Sequence, residues 1–147
     1  MKSEQINFGD NDFLGIMRKY TLMVPDYQRG YDWSPEHLGE LWEDLSYYRE
    51  NYNTDQSFLG TIILKSSEDS SSPHEIVDGQ QRLTTLYILA IAMKNEFIRR
   101  SEKIPAFSDF SRDIDTNIIS VYDRLKRIQK GPKLIGSEPV RDVLKAI

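Results

Sequence analysis

Cysteine is absent from the 147 residues. That excludes a disulfide framework, thiol catalysis and cysteine-ligated zinc. Histidine is nearly absent as well. His37 and His74 stand far apart and form no metal-spaced pair, so an HNH-type metal finger or a zinc hydrolase has no ligand set. No apolar run approaches the ~18 residues of a membrane span, and the first residues lack a signal-peptide core. A cytoplasmic protein is the expectation. An excess of positive charge is also missing. Lys and Arg total 19 against 23 Asp and Glu, a net charge of -4, which argues against non-specific DNA binding through a broad basic surface. A local basic pocket stays compatible with that balance. The chain has no G-x-x-x-x-G-K-[ST], G-x-G-x-x-G or H-E-x-x-H motif, no Ser/His/Asp arrangement and no internal repeat.

What is present is the composition of a globular domain, 39% hydrophobic and 29% charged. A chain of this size buries roughly 70% of the surface its unfolded form exposes. Residues 1–11 are polar and read as extended. Phe13, Ile16, Met17 and Tyr20 follow helical spacing with Asp12 as cap. Thr21-Leu22-Met23-Val24 is a strand ended by Pro25, with an edge or a turn at its end. Ser34-Pro35-Glu36 is a helix start, followed by a stripe of Leu38, Leu41, Trp42, Leu45 and Tyr48 whose simplest reading is core. Phe58 to Lys65 is almost continuously apolar and predicts a central strand, in which Gly60 marks a bulge or a close approach by backbone or ligand. His74 to Val77 pairs with it as a hairpin. The spacing predicts a long, buried helix from after Gly79 to about Arg100 and a weaker helix over 108–129. Arg124, Lys126, Arg127, Lys130 and Lys133 form a basic cluster whose simplest reading is a solvated helix face. A short strand at 133–135 and a final helix over 140–147 follow. That last pattern stops without a C-cap glycine, as in a piece of a longer protein.

One stretch organises the rest: Glu75-Ile76-Val77-Asp78-Gly79-Gln80-Gln81-Arg82-Leu83-Thr84-Thr85-Leu86. It predicts a strand, a tight Asp-Gly turn and the first turn of the long helix. Unpaired N–H groups and the dipole make a helix N-terminus a ready anion site, and Arg82 adds a planar fork of donors suited to phosphate. Asp78 and Gln81 are also at the spacing of a capping box, which needs no ligand. Both readings stay open at this point. A second loop, Tyr27-Gln28-Arg29, follows the first strand as Asp78-Gly79 follows the other. If the strands end side by side, Arg29 and Arg82 face one crevice, and an anion between them is favoured.

These segments resemble the GmrSD-type N-terminal domain family. The resemblance rests on Val-Pro-Asp-Tyr-Gln-Arg-Gly-Tyr-Asp-Trp at 24–33, Phe-Leu-Gly-Thr-Ile at 58–62 and Ile-Val-Asp-Gly-Gln-Gln-Arg-Leu-Thr-Thr-Leu at 76–86, in the family's order and spacing. It implies an α/β (α+β) fold of ParB/sulfiredoxin-like type, with a nucleotide-binding core over 1–105 and a helical extension over 106–147. It also implies binding and hydrolysis of a nucleoside triphosphate (GTP, ATP or CTP), with Mg²⁺ as the expected companion. By motif, Asp78, Gln81 and Arg82 carry the catalytic role. Tyr27, Gln28, Arg29, Gly60, Gly79, Gln80 and Arg82 hold the nucleotide and its phosphates, and no residue is assigned as a resident metal ligand. Implied partners are modified DNA, through the full-length protein, and an HNH-type nuclease domain in cis or in trans, with no membrane. Two other readings compete with this one. One is a reader of phosphorothioate or modified-cytosine DNA whose Tyr27, Tyr31 and Trp33 contact the modified base or backbone, with Arg29 on phosphate. The other is an interaction module whose arginines pair with Asp26, Asp32 or Asp78.

Overall fold

Helix and strand starts in this chain are set by short polar signals, and the computed structural model shows where each takes hold. It describes residues 9–52, 58–66, 72–123 and 128–136. The expected polar arm through residue 8, the basic residues Arg124, Lys126 and Arg127 and the final helix over 140–147 lie outside the described residues. Along the chain come α1 (Phe13–Lys19), β1 (Leu22–Met23), α2 (Pro35–Tyr52), β2 (Ile63–Lys65), β3 (His74–Asp78), α3 (Gln80–Arg100) and α4 (Ala106–Ile114). A π-helical turn (Asp115–Ile119), β4 (Ser120–Asp123), β5 (Ile128–Pro132) and β6 (Leu134–Ile135) complete the order. The result is a mixed α+β fold.

The Asp12 carboxylate accepts from the Gly15 amide at 2.5 Å and caps α1, satisfying one of the helix's orphan donors. The chain then enters a four-stranded sheet of order β2-β3-β1-β6. β1 is parallel to both β3 and β6, and β2 runs antiparallel to β3. The expected 58–65 hairpin partner is therefore present but displaced. β2 covers only Ile63–Lys65 and forms the sheet edge, not its centre. Residues 59–61 are held away by the left-handed Gly60 (φ +88°) and by the Arg82 side chain behind it. β1 departs from expectation too, because it lies inside the sheet. Pro25 is tolerated there because the last amide used is that of Val24, which donates to the Ile135 carbonyl at 2.9 Å. The turn alternative holds, with the Gln28 amide donating to the Pro25 carbonyl at 3.1 Å.

The core joins Met17, Leu22, Val24, Ile76, Leu83, Tyr87 and Leu134. It draws on one helix turn, three strands and the first two turns of α3. The Tyr87 hydroxyl donates to the Ile119 carbonyl at 2.8 Å, and burial pushes its phenol up to about 12. α3 spans the expected residues, but only its first half is buried. Leu89, Met93 and Ile98 are exposed, a correction to the helix buried throughout. Its second half packs instead on α4, where Phe97, Phe107 and Phe110 form a ring cluster.

The helix expected over 108–129 stops at Ile119. The β-branched Ile118, Ile119 and Val121 weaken the helical preference here, and the backbone turns extended at Ser120 (φ -114°, ψ 144°). The Ile119 carbonyl is also taken by the Tyr87 hydroxyl and the Lys133 amide. β4 and β5 then pair as an antiparallel hairpin, and β6 returns to the main sheet beside β1. Lys133, read as part of a solvated basic face, is instead buried, and its ammonium donates to the Asn117 carbonyl at 2.8 Å. α2 starts as predicted, with Ser34 before Pro35, but none of its residues is buried. Trp42, expected in the core, is 65% exposed.

Candidate functional site

β3 delivers the chain to a turn at its C-terminal end, next to the C-terminal end of its parallel neighbour β1. Gly79 makes the turn at φ 87°, ψ 11°, a left-handed conformation that disfavours any side chain. A Cβ there would lie 2.3 Å from Ile62 Cδ1 and 3.3 Å from the Thr61 carbonyl oxygen. Gly79 is thus the N-cap of α3, and no side chain caps the helix. The Asp78–Gln81 capping box does not form, because Asp78 stays in strand β3 and Gln81 is committed elsewhere. The unfilled cap leaves the first amides of α3 open to an external acceptor.

The two glutamines read the backbone of the preceding loop. Gln81 Nε2 donates to the Gly30 carbonyl at 2.9 Å, while its Oε1 accepts from the Asp32 amide at 3.2 Å. Gln80 Nε2 donates to the Arg29 carbonyl at 2.7 Å. Gln28 Nε2 returns the link, donating to the Val77 carbonyl at 2.9 Å. Three amide side chains therefore stitch loop 28–32 onto the strand-to-helix turn. Below them, the Thr85 hydroxyl donates to the Gln81 carbonyl at 2.8 Å and meets the Tyr31 hydroxyl at 3.0 Å. Among the described residues, Gln80 Oε1 is the buried side-chain polar atom left without a partner. An acceptor in that condition costs on the order of 1–3 kcal/mol until a donor reaches it.

Arg82 reaches back to the segment before β2. Its guanidinium donates to the Leu59 carbonyl and, at 3.4 Å, to that of Thr61. Gly60 leaves the space for it: a Cβ there would sit 1.7 Å from Arg82 Nη1. The close approach at Gly60, expected of backbone or ligand, is made instead by the Arg82 side chain. Arg29 pairs with Asp32 at 2.8 Å on the exposed side of the loop.

A crevice of about 240 Å³ results. Gln28, Arg29 and Trp33 line it from the loop, and Asp78, Gly79, Gln80, Gln81 and Arg82 from the turn. Eight of the residues singled out in the sequence meet there. Tyr27 does not, and is 70% exposed. Tyr31 turns inward against the core through its bond to Thr85. Sequence reasoning missed Thr85 and the carbonyls of Leu59 and Thr61. Thr85 had a signal, since Thr84 and Thr85 interrupt the apolar run of α3 and both are buried. The carbonyls had none, because a main-chain acceptor leaves no mark on residue type. Among the described residues no group of three or more His, Cys, Asp or Glu could hold a metal. Asp78 is the acid that lines the crevice. One carboxylate suits an Mg²⁺ that takes its other ligands from phosphates and water, and does not suit a resident ion.

The family description "GmrSD restriction endonuclease, N-terminal domain" matches residues 11–140. The chain belongs to this family. The match takes in both loops of the crevice, all of α3 and the strand β6 that returns to the sheet. An uncharacterized protein of Methanocaldococcus jannaschii is similar as well, 26% identical over 139 residues that cover 80% of this chain and 24% of the relative. The chain therefore spans about a quarter of the length of that relative. Among the described residues, no helix of this GmrSD N-terminal domain is long and apolar enough to cross a membrane.

Proposed function

We propose that this chain is the nucleoside-triphosphate-binding and hydrolysing domain of a bacterial anti-phage restriction system directed at modified DNA. In this role nucleotide turnover gates a separate HNH-type nuclease domain, in cis or in trans. The observation that carries the reading is the crevice itself, with two arginines and an uncapped helix N-terminus at the ends of parallel strands. Anions gather at such a terminus, and ligands of α/β sheets sit beyond the carboxyl ends of strands.

The phosphates of GTP, ATP or CTP would accept from the amides after Gly79, with Arg29 and Arg82 on either side. Asp78 would hold the Mg²⁺ that accompanies the nucleotide and neutralises developing charge. Gln80 Oε1, buried and without a donor, suits a water or ligand hydroxyl. Catalysis in such a site is mostly positioning and charge stabilisation. Calorimetric titration with GTP, ATP and CTP, with Mg²⁺, tests the reading. Wild type is expected to bind at least one. Arg29→Ala, an exposed position, is expected to bind roughly tenfold or more weakly, the value of a lost charge-assisted contact. Absence of heat for every nucleotide in the wild type would refute it.

A non-catalytic reader of phosphorothioate or modified-cytosine DNA is the second reading. The exposed Tyr27 ring two residues before Arg29 is what favours it. It expects tighter binding of modified than of plain DNA, with no phosphate release.

A further inference from the structure

A second hollow, of about 220 Å³, adjoins the crevice and shares Trp33 and Arg82 with it. One wall is the face of α2 carrying His37, Glu40, Leu41, Asp44 and Leu45, residues that follow the 3/4 spacing of a single helix side. Phe58 and Leu59 stand opposite. The Ser34 amide donates to His37 Nδ1 at 3.1 Å, and the fixed imidazole stacks on Trp33 with ring centroids 5.9 Å apart and planes inclined by 19°. Trp33 is thereby held at the boundary between the two hollows.

The two spaces have opposite character. The crevice offers guanidinium groups and a helix N-terminus. The hollow offers two carboxylates that only accept hydrogen bonds, ring faces and aliphatic side chains. A phosphate would be repelled by Glu40 and Asp44. A flat, donor-bearing group would be accepted by them. α2 also commits none of its residues to the core, so Leu41 and Leu45 retain surface that a ligand could cover. A nucleotide carries the same polarity along its length, anionic at one end and flat with hydroxyl and amino donors at the other. Resting on the crevice as the phosphate site, we propose that the hollow along α2 receives the nucleoside half of the nucleotide. Glu40 and Asp44 accept from its hydroxyl or amino hydrogens, and the Trp33 and Phe58 rings supply stacking faces.

Titration of the full chain with inorganic tripolyphosphate and with ATP, GTP and CTP separates this proposal from the reading it rests on. Glu40 and Asp44 are exposed, so the double variant Glu40→Ala/Asp44→Ala is expected to keep the wild-type melting temperature. Wild type is expected to bind its preferred nucleotide at least tenfold more tightly than tripolyphosphate. The double variant is expected to lose roughly ten- to a hundredfold in nucleotide affinity, the value of charge-assisted bonds. It should bind tripolyphosphate as well as wild type does, or better. If wild type binds tripolyphosphate and nucleotide equally, or the variant keeps full nucleotide affinity, the nucleoside site is overturned and the phosphate site stands. If wild type binds neither, both are overturned.

Discussion

Gly60→Ala is expected to unfold at markedly lower denaturant than the wild type and to lose nucleotide binding. Two costs combine. Alanine at a φ of +88° is strained, by about 1–2 kcal/mol. Its methyl would also occupy the place of the Arg82 guanidinium, which must then leave the Leu59 and Thr61 carbonyls. Losing the charge-assisted bond to the half-buried Leu59 carbonyl, with the longer one to the exposed Thr61 carbonyl, adds a similar amount, for a total of roughly 2–4 kcal/mol. Urea unfolding of the single variants and of Gly60→Ala/Arg82→Ala checks the mechanism. The double variant should cost clearly less than the sum of the singles, since each alone breaks the same contact. Full additivity, or a Gly60→Ala protein as stable as wild type, would show that Arg82 does not depend on the space Gly60 leaves.

The second large effect is expected at Gln81. It is buried, and both ends of its amide are used, on the Gly30 carbonyl and the Asp32 amide. Gln81→Leu keeps the volume but strands both backbone groups, at about 1–3 kcal/mol each if they stay unsolvated. It also unties the loop that positions Arg29 and Trp33, so nucleotide affinity should fall with stability. Gln80→Leu is the comparison. It loses one bond, to the Arg29 carbonyl, and removes an acceptor that had no partner. Without ligand it should destabilise less than Gln81→Leu, while still reducing nucleotide turnover. Thermal melts of both variants, with and without nucleotide, read the difference. Equal losses in the ligand-free protein would contradict the roles assigned to the two amides.

What could be read from the sequence follows the range of the forces involved. The Asp12 cap, the Ser34-Pro35 start, the β3–Gly79–α3 passage and the pairing of β2 with β3 depend on neighbours in the chain, and they are visible there, whereas the irregular register of that pair is not. The gathering of Arg29 and Arg82 was also visible, because two similar turns follow two strands that pair in parallel. The fates of Asp78 and Gln81 were not. A capping box needs only local spacing, whereas Gln81 is drawn to Gly30, about fifty positions back, by acceptors that residue identity does not reveal. α2 misled for a related reason. Its apolar stripe resembles that of a core helix, but sequence periodicity says which residues share a face and not what covers it. The end of the helical run at Ile119 is a contest between weak helical spacing and β-branched residues, decided by Tyr87 and Lys133 claiming the Ile119 carbonyl.

The most direct test is where a nucleotide touches the chain. In a ¹⁵N-labelled sample titrated with a nucleoside triphosphate and Mg²⁺, the largest saturable amide shifts are expected at Gly79, Gln80, Gln81 and Arg82, with Arg29 and Trp33 moving in step. Saturable shifts confined to residues away from this turn, or none at all, would contradict the assignment of the crevice as the phosphate site.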